Sequence, residues 1–380
     1  MAKIKQIICI ILLLITLSVN AQDLQLGAER TSLYLPILKE KNIAIVGNQT
    51  SMINNTHLVD SLINLNINIV KIFTPEHGFR GSGDAGEIIN NELDEKTGLP
   101  IISIYGKNKK PSVKQLEGID IIVFDIQDVG VRFYTYISSL HYIMEAAAEN
   151  KITVIVLDRP NPNGHYIDGP VRENKFRSFV GMHPVPIVHA MTIGEYAKMI
   201  NGESWISEKC DLRIIKMKNY THDMHYDLHI KPSPNLPNSK SINLYPSLCL
   251  FEGTSVSIGR GTKHPFQHFG APYLKSDYSF TPQSCEGSKS PKHKNTKCYG
   301  TDLRFQDNYL TEINLNWLIE TYNNCPEKEK FFNNFFDKLA GTDKLRSAII
   351  AGKNAKQIKD SWKKGISNFK KIRHKYLIYD

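Results

Sequence analysis

The stretch Ile67–Gly86 reads INIVKIFTPEHGFRGSGDAG and changes character at Thr74. Up to Phe73 it is apolar and β-branched, the composition of a strand, and Pro75 cannot donate to a ladder, so the strand ends there. Glu76 and His77 are therefore expected in the loop just past the strand's carboxyl end, the edge of an open α/β sheet at which ligands bind. Glycines at 78, 81, 83 and 86 allow backbone to approach a ligand closely. A carboxylate and an imidazole at the first turn of such a loop suit proton transfer, which makes Glu76 the first catalytic candidate.

Around this stretch, short β-branched runs alternate with amphipathic ones, the pattern of βαβ units on a mainly parallel sheet. The predicted strands are Asn42–Val46, Ile67–Phe73, Leu99–Ile104, Ile119–Phe124 and Ile152–Leu157, with Asp211–Met217 following later. IDIIVF and ITVIVL are almost wholly apolar, so both faces of those strands are covered. Helices are predicted over His57–Leu65 and Ser138–Glu149, the second with Leu140, Ile143, Met144 and Ala147 on one face. Thr192 with Glu195 makes a capping box for a helix running to Ile200. A doubly wound α/β fold follows. KPSPNLPN, Lys231–Asn238, reads as a domain boundary or a rigid active-site loop. Beyond it helices are expected over Asn314–Asn323, Lys328–Leu339 and Asn354–Lys371.

The 380 residues, 41% hydrophobic and 22% charged, describe an ordinary globular chain. Lys3 and Lys5, an apolar run Ile7–Leu17 and Val19-Asn20-Ala21 form the tripartite pattern of a secretory signal, so residues 1–21 are set apart and the mature chain is expected outside the cytoplasm. The run is too short to span a membrane. A net charge of +9 admits anionic polymers as partners. The late Lys-rich runs lack aromatic interleaving and read as solvated faces, so no nucleic acid is expected. Five cysteines remain past the signal, an odd number that excludes a disulfide scaffold. Cys285 and Cys298 are the one pair expected to bridge in an oxidising compartment.

Polar groups follow each strand: Asn48 and Gln49, Glu76 and His77, Tyr105, Asp125 to Asp128, and Asp158 to Asn161. Parallel strands would bring them to one rim. Singly, each is as well explained as a helix cap or a turn. The loop Gln127–Tyr136 adds Arg132, Phe133, Tyr134 and Tyr136, which suit a sugar carrying an acid: the ring packs on an aromatic and the arginine forks onto the carboxylate. Gly81–Gly86 matches the dinucleotide G-x-G-x-x-G, but it is set off from its strand by a proline-led segment, and no acid stands near Tyr105 to hold a ribose. His222, His225 and His229 have no helix to bring them together, so no metal is expected.

The blocks GNQTS (Gly47–Ser51), PEHGFRG (Pro75–Gly81), DIQDVGVRFYTY (Asp125–Tyr136), LDRPNPNG (Leu157–Gly164), MTIGE (Met191–Glu195), PSPNLP (Pro232–Pro237) and EGTSVSIGRGT (Glu252–Thr262) together resemble the exo-β-N-acetylmuramidase family, the YbbC/NamZ-like proteins. The resemblance runs from about Asn42 to about Tyr273. It implies a Rossmann-like N-terminal domain, here residues 22–238, and a smaller α+β domain, 239–380, closing a cleft between them. The implied activity is removal of terminal N-acetylmuramic acid from the non-reducing end of peptidoglycan fragments, with no cofactor, and it places Glu76 as the proposed catalytic residue. One departure stands out: His189-Ala190-Met191 replaces an expected His-Gly-Met and should stiffen that turn.

Glu76 is thus expected to act as the acid, its pKa raised by burial under Pro75 and Phe79. Asp128 is the expected second carboxylate, with Glu87, Asp125 and Glu252 behind it. The sugar is expected on His77, Gln127, Arg132, Tyr134, Arg159, Asn161, His189, Asn235, Glu252 and Arg260, with Arg132 on the lactyl carboxylate and Arg159 or Arg260 as its substitutes. A non-catalytic module binding peptidoglycan sugars would use the same aromatics and arginines without needing Glu76, and a nucleotide enzyme built on the glycine-rich loop is the third reading.

Overall fold

The computed structural model describes residues 23–76, 78–80, 92–306 and 308–380. The leader at 1–21, His77, the glycines at 81–86 and Glu87 lie outside the described residues. Twelve strands are described: β1 Ile43–Gly47, β2 Met52–Ile53, β3 Thr56–His57, β4 Ile69–Thr74, β5 Glu92–Leu93, β6 Pro100–Ser103, β7 Ile121–Asp125, β8 Thr153–Leu157, β9 Leu212–Ile215, β10 His268–Ala271, β11 Ser279–Phe280 and β12 Cys298–Asp302. Seven form one sheet in the order β5-β6-β4-β1-β7-β8-β9, parallel except for β5. The chain steps outward from β1 through β4 to β6, then returns to the far side of β1, so the topology reverses between β1 and β7.

Alternation along the strands loads both faces. Ala44, Val46, Ile122 and Phe124 join one core, whereas Ile43, Ile45, Ile121 and Val123 join the other. The second core is closed by helices Thr31–Leu38 and Leu58–Asn64. The first takes helices Tyr136–Glu149 and Ile193–Gly202 and continues without a break through Leu248, Phe266, Phe331 and Trp362 of the C-terminal part. That smaller part holds the antiparallel sheet β10-β12-β11 and ends on the amphipathic helix Ala355–His374. Among the described residues no helix is long and apolar enough to cross a membrane.

The capping box forms as expected: Thr192 accepts from the Glu195 N–H and Glu195 from the Thr192 N–H. Lys328–Leu339, expected as one helix, is a 3₁₀ turn and a short helix, Phe336–Ala340. Tertiary pairing breaks it, because the Phe331 carbonyl accepts from Ser255 N at 2.8 Å and Asn333 N donates to Gly253 O at 2.9 Å. Helix Ser239–Leu248 was hidden by the prolines before it and by its own Pro246. The expected Cys285–Cys298 bridge is corrected: both are free thiols, Cys298 buried in β12 and Cys285 exposed at a turn.

Ala190, the departure from His-Gly-Met, sits at φ 52°, the left-handed region that costs an L-residue about 1–2 kcal/mol. Its carbonyl accepts from Arg373 Nε at 2.9 Å and Nη2 at 2.5 Å, which holds the turn in place. Ala190→Gly removes the Cβ and keeps these bonds. After the larger chain entropy of glycine is subtracted, calorimetry should find the melting temperature raised by about 1–3 °C. A lower melting temperature would show that the turn is not strained.

Candidate active site

Glu76 is mounted on a short, doubly fastened loop. β4 ends at Thr74, and Gly78, at φ 77°, turns back so that its N–H meets the Pro75 carbonyl at 3.3 Å. Arg80 then forks onto Asp94 at 3.0 and 2.8 Å. Phe79 does not cover Glu76 as expected. It turns into the core beside His57, edge to face at 4.7 Å, and so anchors the loop from behind. The carboxylate of Glu76 is instead held by hydroxyls: Tyr105 donates to Oε1 at 3.0 Å and Thr135 to Oε2 at 3.4 Å. Burial and the nearby Glu76 charge push the Tyr105 hydroxyl well above its ordinary pKa, so it stays a donor.

Glu76 borders a cleft of about 660 Å³ between the two parts of the chain. Tyr105, Phe133 and Thr135 line one wall; Tyr245, Glu252, Arg260 and the loop 287–292 line the other. A side chamber of about 60 Å³ opens between Glu76 and Arg260, with Tyr134, Tyr136 and Asn235 around it. Glu252 accepts from Arg260 Nε at 2.5 Å, and the guanidinium lies 5.0 Å over the Phe266 ring. Lys292, behind this pair, donates to the carbonyls of Phe251 at 3.2 Å, Val256 at 3.0 Å and Thr254. Burial pushes its ammonium down to about 8. Asn235 fixes the loop by donating to Gly287 O at 2.7 Å, and the Tyr134 hydroxyl is spent on Pro232 O at 2.7 Å.

The expected rim is therefore divided. Glu76, Tyr134, Asn235, Glu252 and Arg260 meet at the cleft. Among the described residues, Gln127, Arg132, Arg159, Asn161 and His189 brace the fold. Arg132 is fully buried and spends both terminal nitrogens on the carbonyls of Pro170, Val185, Leu339 and Ala340 at 2.7–2.9 Å. A lactyl carboxylate cannot reach it without breaking those bonds. Arg159 is forked onto Asp125 at 2.6 and 2.8 Å, and Gln127 donates to the carbonyls of Asp128 and Pro160. These two line a separate cavity of about 720 Å³ at the switch point between β1 and β7. Asn161 holds Met191 O and Asn163 N, and His189, wholly buried, accepts from Met191 N and is pushed by burial down to about 3.

Asp128 is buried away from the cleft lining, with Oδ2 on the Gly130 N–H at 2.7 Å, and burial pushes its pKa up to about 7. Glu252 takes its place as the second carboxylate at the cleft. Thr135, Tyr245 and Lys292 were missed. Tyr245 lies on the hidden helix, whose Asn238–Ser241 cap was the available signal, and Lys292 lay in a run read as solvated. Among the described residues no group of three or more His, Cys, Asp or Glu is placed to hold a metal.

Two family models match the chain: the exo-β-N-acetylmuramidase NamZ N-terminal domain over residues 43–240 and its C-terminal domain over 243–379. The chain belongs to the NamZ family. It is 41% identical over 377 residues to the peptidoglycan β-N-acetylmuramidase NamZ of Bacillus subtilis strain 168, spanning 91% of this chain and 89% of that one. Two solved DUF1343-family proteins of Bacteroides fragilis NCTC 9343 each cover 94% of this chain and 99% of their own. Their TM-scores are 0.88 and 0.82, at 49% and 30% identity.

The burial of Asp128 yields a prediction with a definite sign. Its folded pKa lies above its unfolded value, so the folded state binds the extra proton between about pH 4 and 7. That contribution to stability is complete below pH 4 and lost as pH rises through 7. Asp128→Asn should flatten this fall in a pH series of melts and keep activity of the same order. A loss of about 10²- to 10⁴-fold at an intact fold would restore Asp128 to the chemistry.

Proposed function

We propose that this protein is a glycoside hydrolase that releases terminal N-acetylmuramic acid from the non-reducing end of peptidoglycan fragments. The observation that carries the reading is Glu76, held by Tyr105 and Thr135 on one wall of a cleft whose other wall presents Glu252 and Arg260. Family membership and the muramidase relative support the same activity. Phe133 and Tyr245, packed edge to face at 5.3 Å, give the cleft an aromatic lining suited to a sugar. Glu76 gives its proton to the glycosidic oxygen as the bond to the leaving sugar breaks. Glu252, with one oxygen committed to Arg260, sets negative charge opposite, where positive charge develops at the anomeric carbon, and a water that bonds to this carbon returns a proton to Glu76. The signal-like leader leads us to place this work outside the cytoplasm, on peptidoglycan-derived saccharides.

Glu76→Gln tests the assignment. The amide is nearly isosteric and can still accept from Tyr105, so the fold should persist, but it has no proton to give. Hydrolysis of N-acetylmuramyl-N-acetylglucosamine should fall about 10²- to 10⁴-fold. A nitrophenyl muramide, whose leaving group needs less protonation, should fall less. Full activity on the disaccharide at an unchanged melting temperature removes Glu76 from the mechanism.

A further inference from the structure

Arginines bordering a sugar cleft are candidates for reading an acidic substituent, and their existing bonds decide which of them is free to do so. Arg159 is committed to Asp125 and the Met52 carbonyl, and Arg132, whose Nε also lacks a partner, is held by four carbonyls, wholly buried and outside the cleft lining. Arg260 differs. Its side chain is 25% exposed and borders both the cleft and the side chamber. Nε is held by Glu252, whereas Nη1 is buried without a hydrogen-bond partner. A buried charged donor without an acceptor is costly, and its position marks where one is missing.

We propose that Arg260 is the specificity-determining residue of the cleft and receives the lactyl carboxylate that distinguishes N-acetylmuramic acid from N-acetylglucosamine. The inference rests on the muramidase reading and names the group that selects its substrate. The side chamber adjoins the larger cleft, so a substituent can enter it while the ring stays in the cleft. Glu252 on Nε leaves the terminal edge of the guanidinium to meet the carboxylate. Because Glu76 borders the same chamber, a sugar that seats its lactyl group there keeps its ring against the acid.

The test compares two nitrophenyl muramides, one with a free lactyl carboxylate and one with that group capped as a methylamide. Wild-type protein should favour the acid. Arg260→Met should lower the acid-to-amide ratio of kcat/KM about 10- to 100-fold, chiefly through KM, and Arg260→Lys should fall between. Each ratio is taken on one preparation and is independent of the fraction folded, so the Glu252 left unpaired by the substitution cannot mimic the effect. An unchanged ratio overturns the proposal. Calorimetric titration of the wild type with N-acetylmuramic acid and N-acetylglucosamine gives a second reading without substitution, and equal affinity also overturns it. Preferential binding of the acid by a wild type that cleaves neither muramide would refute the hydrolase reading and leave the carboxylate seat standing.

Discussion

Arg132 is a buried cation that joins the two parts of this protein. Among the described residues no carboxylate pairs with Arg132; its guanidinium is held by two carbonyls from the N-terminal part, Pro170 and Val185, and two from the C-terminal part, Leu339 and Ala340. Burial, with Arg172 adding repulsion, pushes its pKa down to about 9, yet four charge-assisted bonds keep the cation in place. The contact also constrains the sequence across from it. Gly341 sits at φ 72°, and a Cβ there would come within 2.7 Å of Arg132 Nη2. Three residues after Arg132, Thr135 meets Glu76, so the joint that fixes the C-terminal part also fixes the wall on which the acid rests. This joint and the continuous core tie the part that carries Glu76 to the part that carries Glu252 and Arg260.

The division of labour among the strand-end residues follows from the same economy of polar groups. At the switch point, buried carboxylates and donors satisfy one another: Asp125 with Arg159, and Asp158 with Thr192, Tyr379 and two backbone N–H groups. Such pairs hold geometry and leave little for a ligand. At the cleft, by contrast, Glu76 is held by two hydroxyls and Arg260 keeps a nitrogen without a partner. Glu76 and Arg260 border the same side chamber. The groups proposed to react thus lie beside the switch-point crevice and not inside it.

Much of the fold was legible because it depends on local rules. Apolar runs such as IDIIVF and ITVIVL became central strands, Pro75 ended β4, and the Thr192–Glu195 box began its helix. Glu76 was legible for the same reason, standing at a strand end in a turn that needs Gly78. What escaped depends on partners far away in sequence. Nothing near Arg132 says that its acceptors lie at 339 and 340, so an arginine among aromatics read as a ligand group. Lys292 sits in a lysine-rich run and is buried only because three carbonyls at 251–256 converge on it. Asp128 is buried and Glu252 lines the cleft, a difference in placement that a motif does not display.

The central claim is that one sugar bridges Glu76 and Arg260 inside the cleft. A crystal structure of the Glu76→Gln protein soaked with N-acetylmuramyl-N-acetylglucosamine tests it most directly. The account predicts the glycosidic oxygen within hydrogen-bond distance of residue 76 and the lactyl carboxylate on Arg260. Density for the disaccharide in the Arg159-lined cavity at the switch point, with the cleft empty, would contradict it.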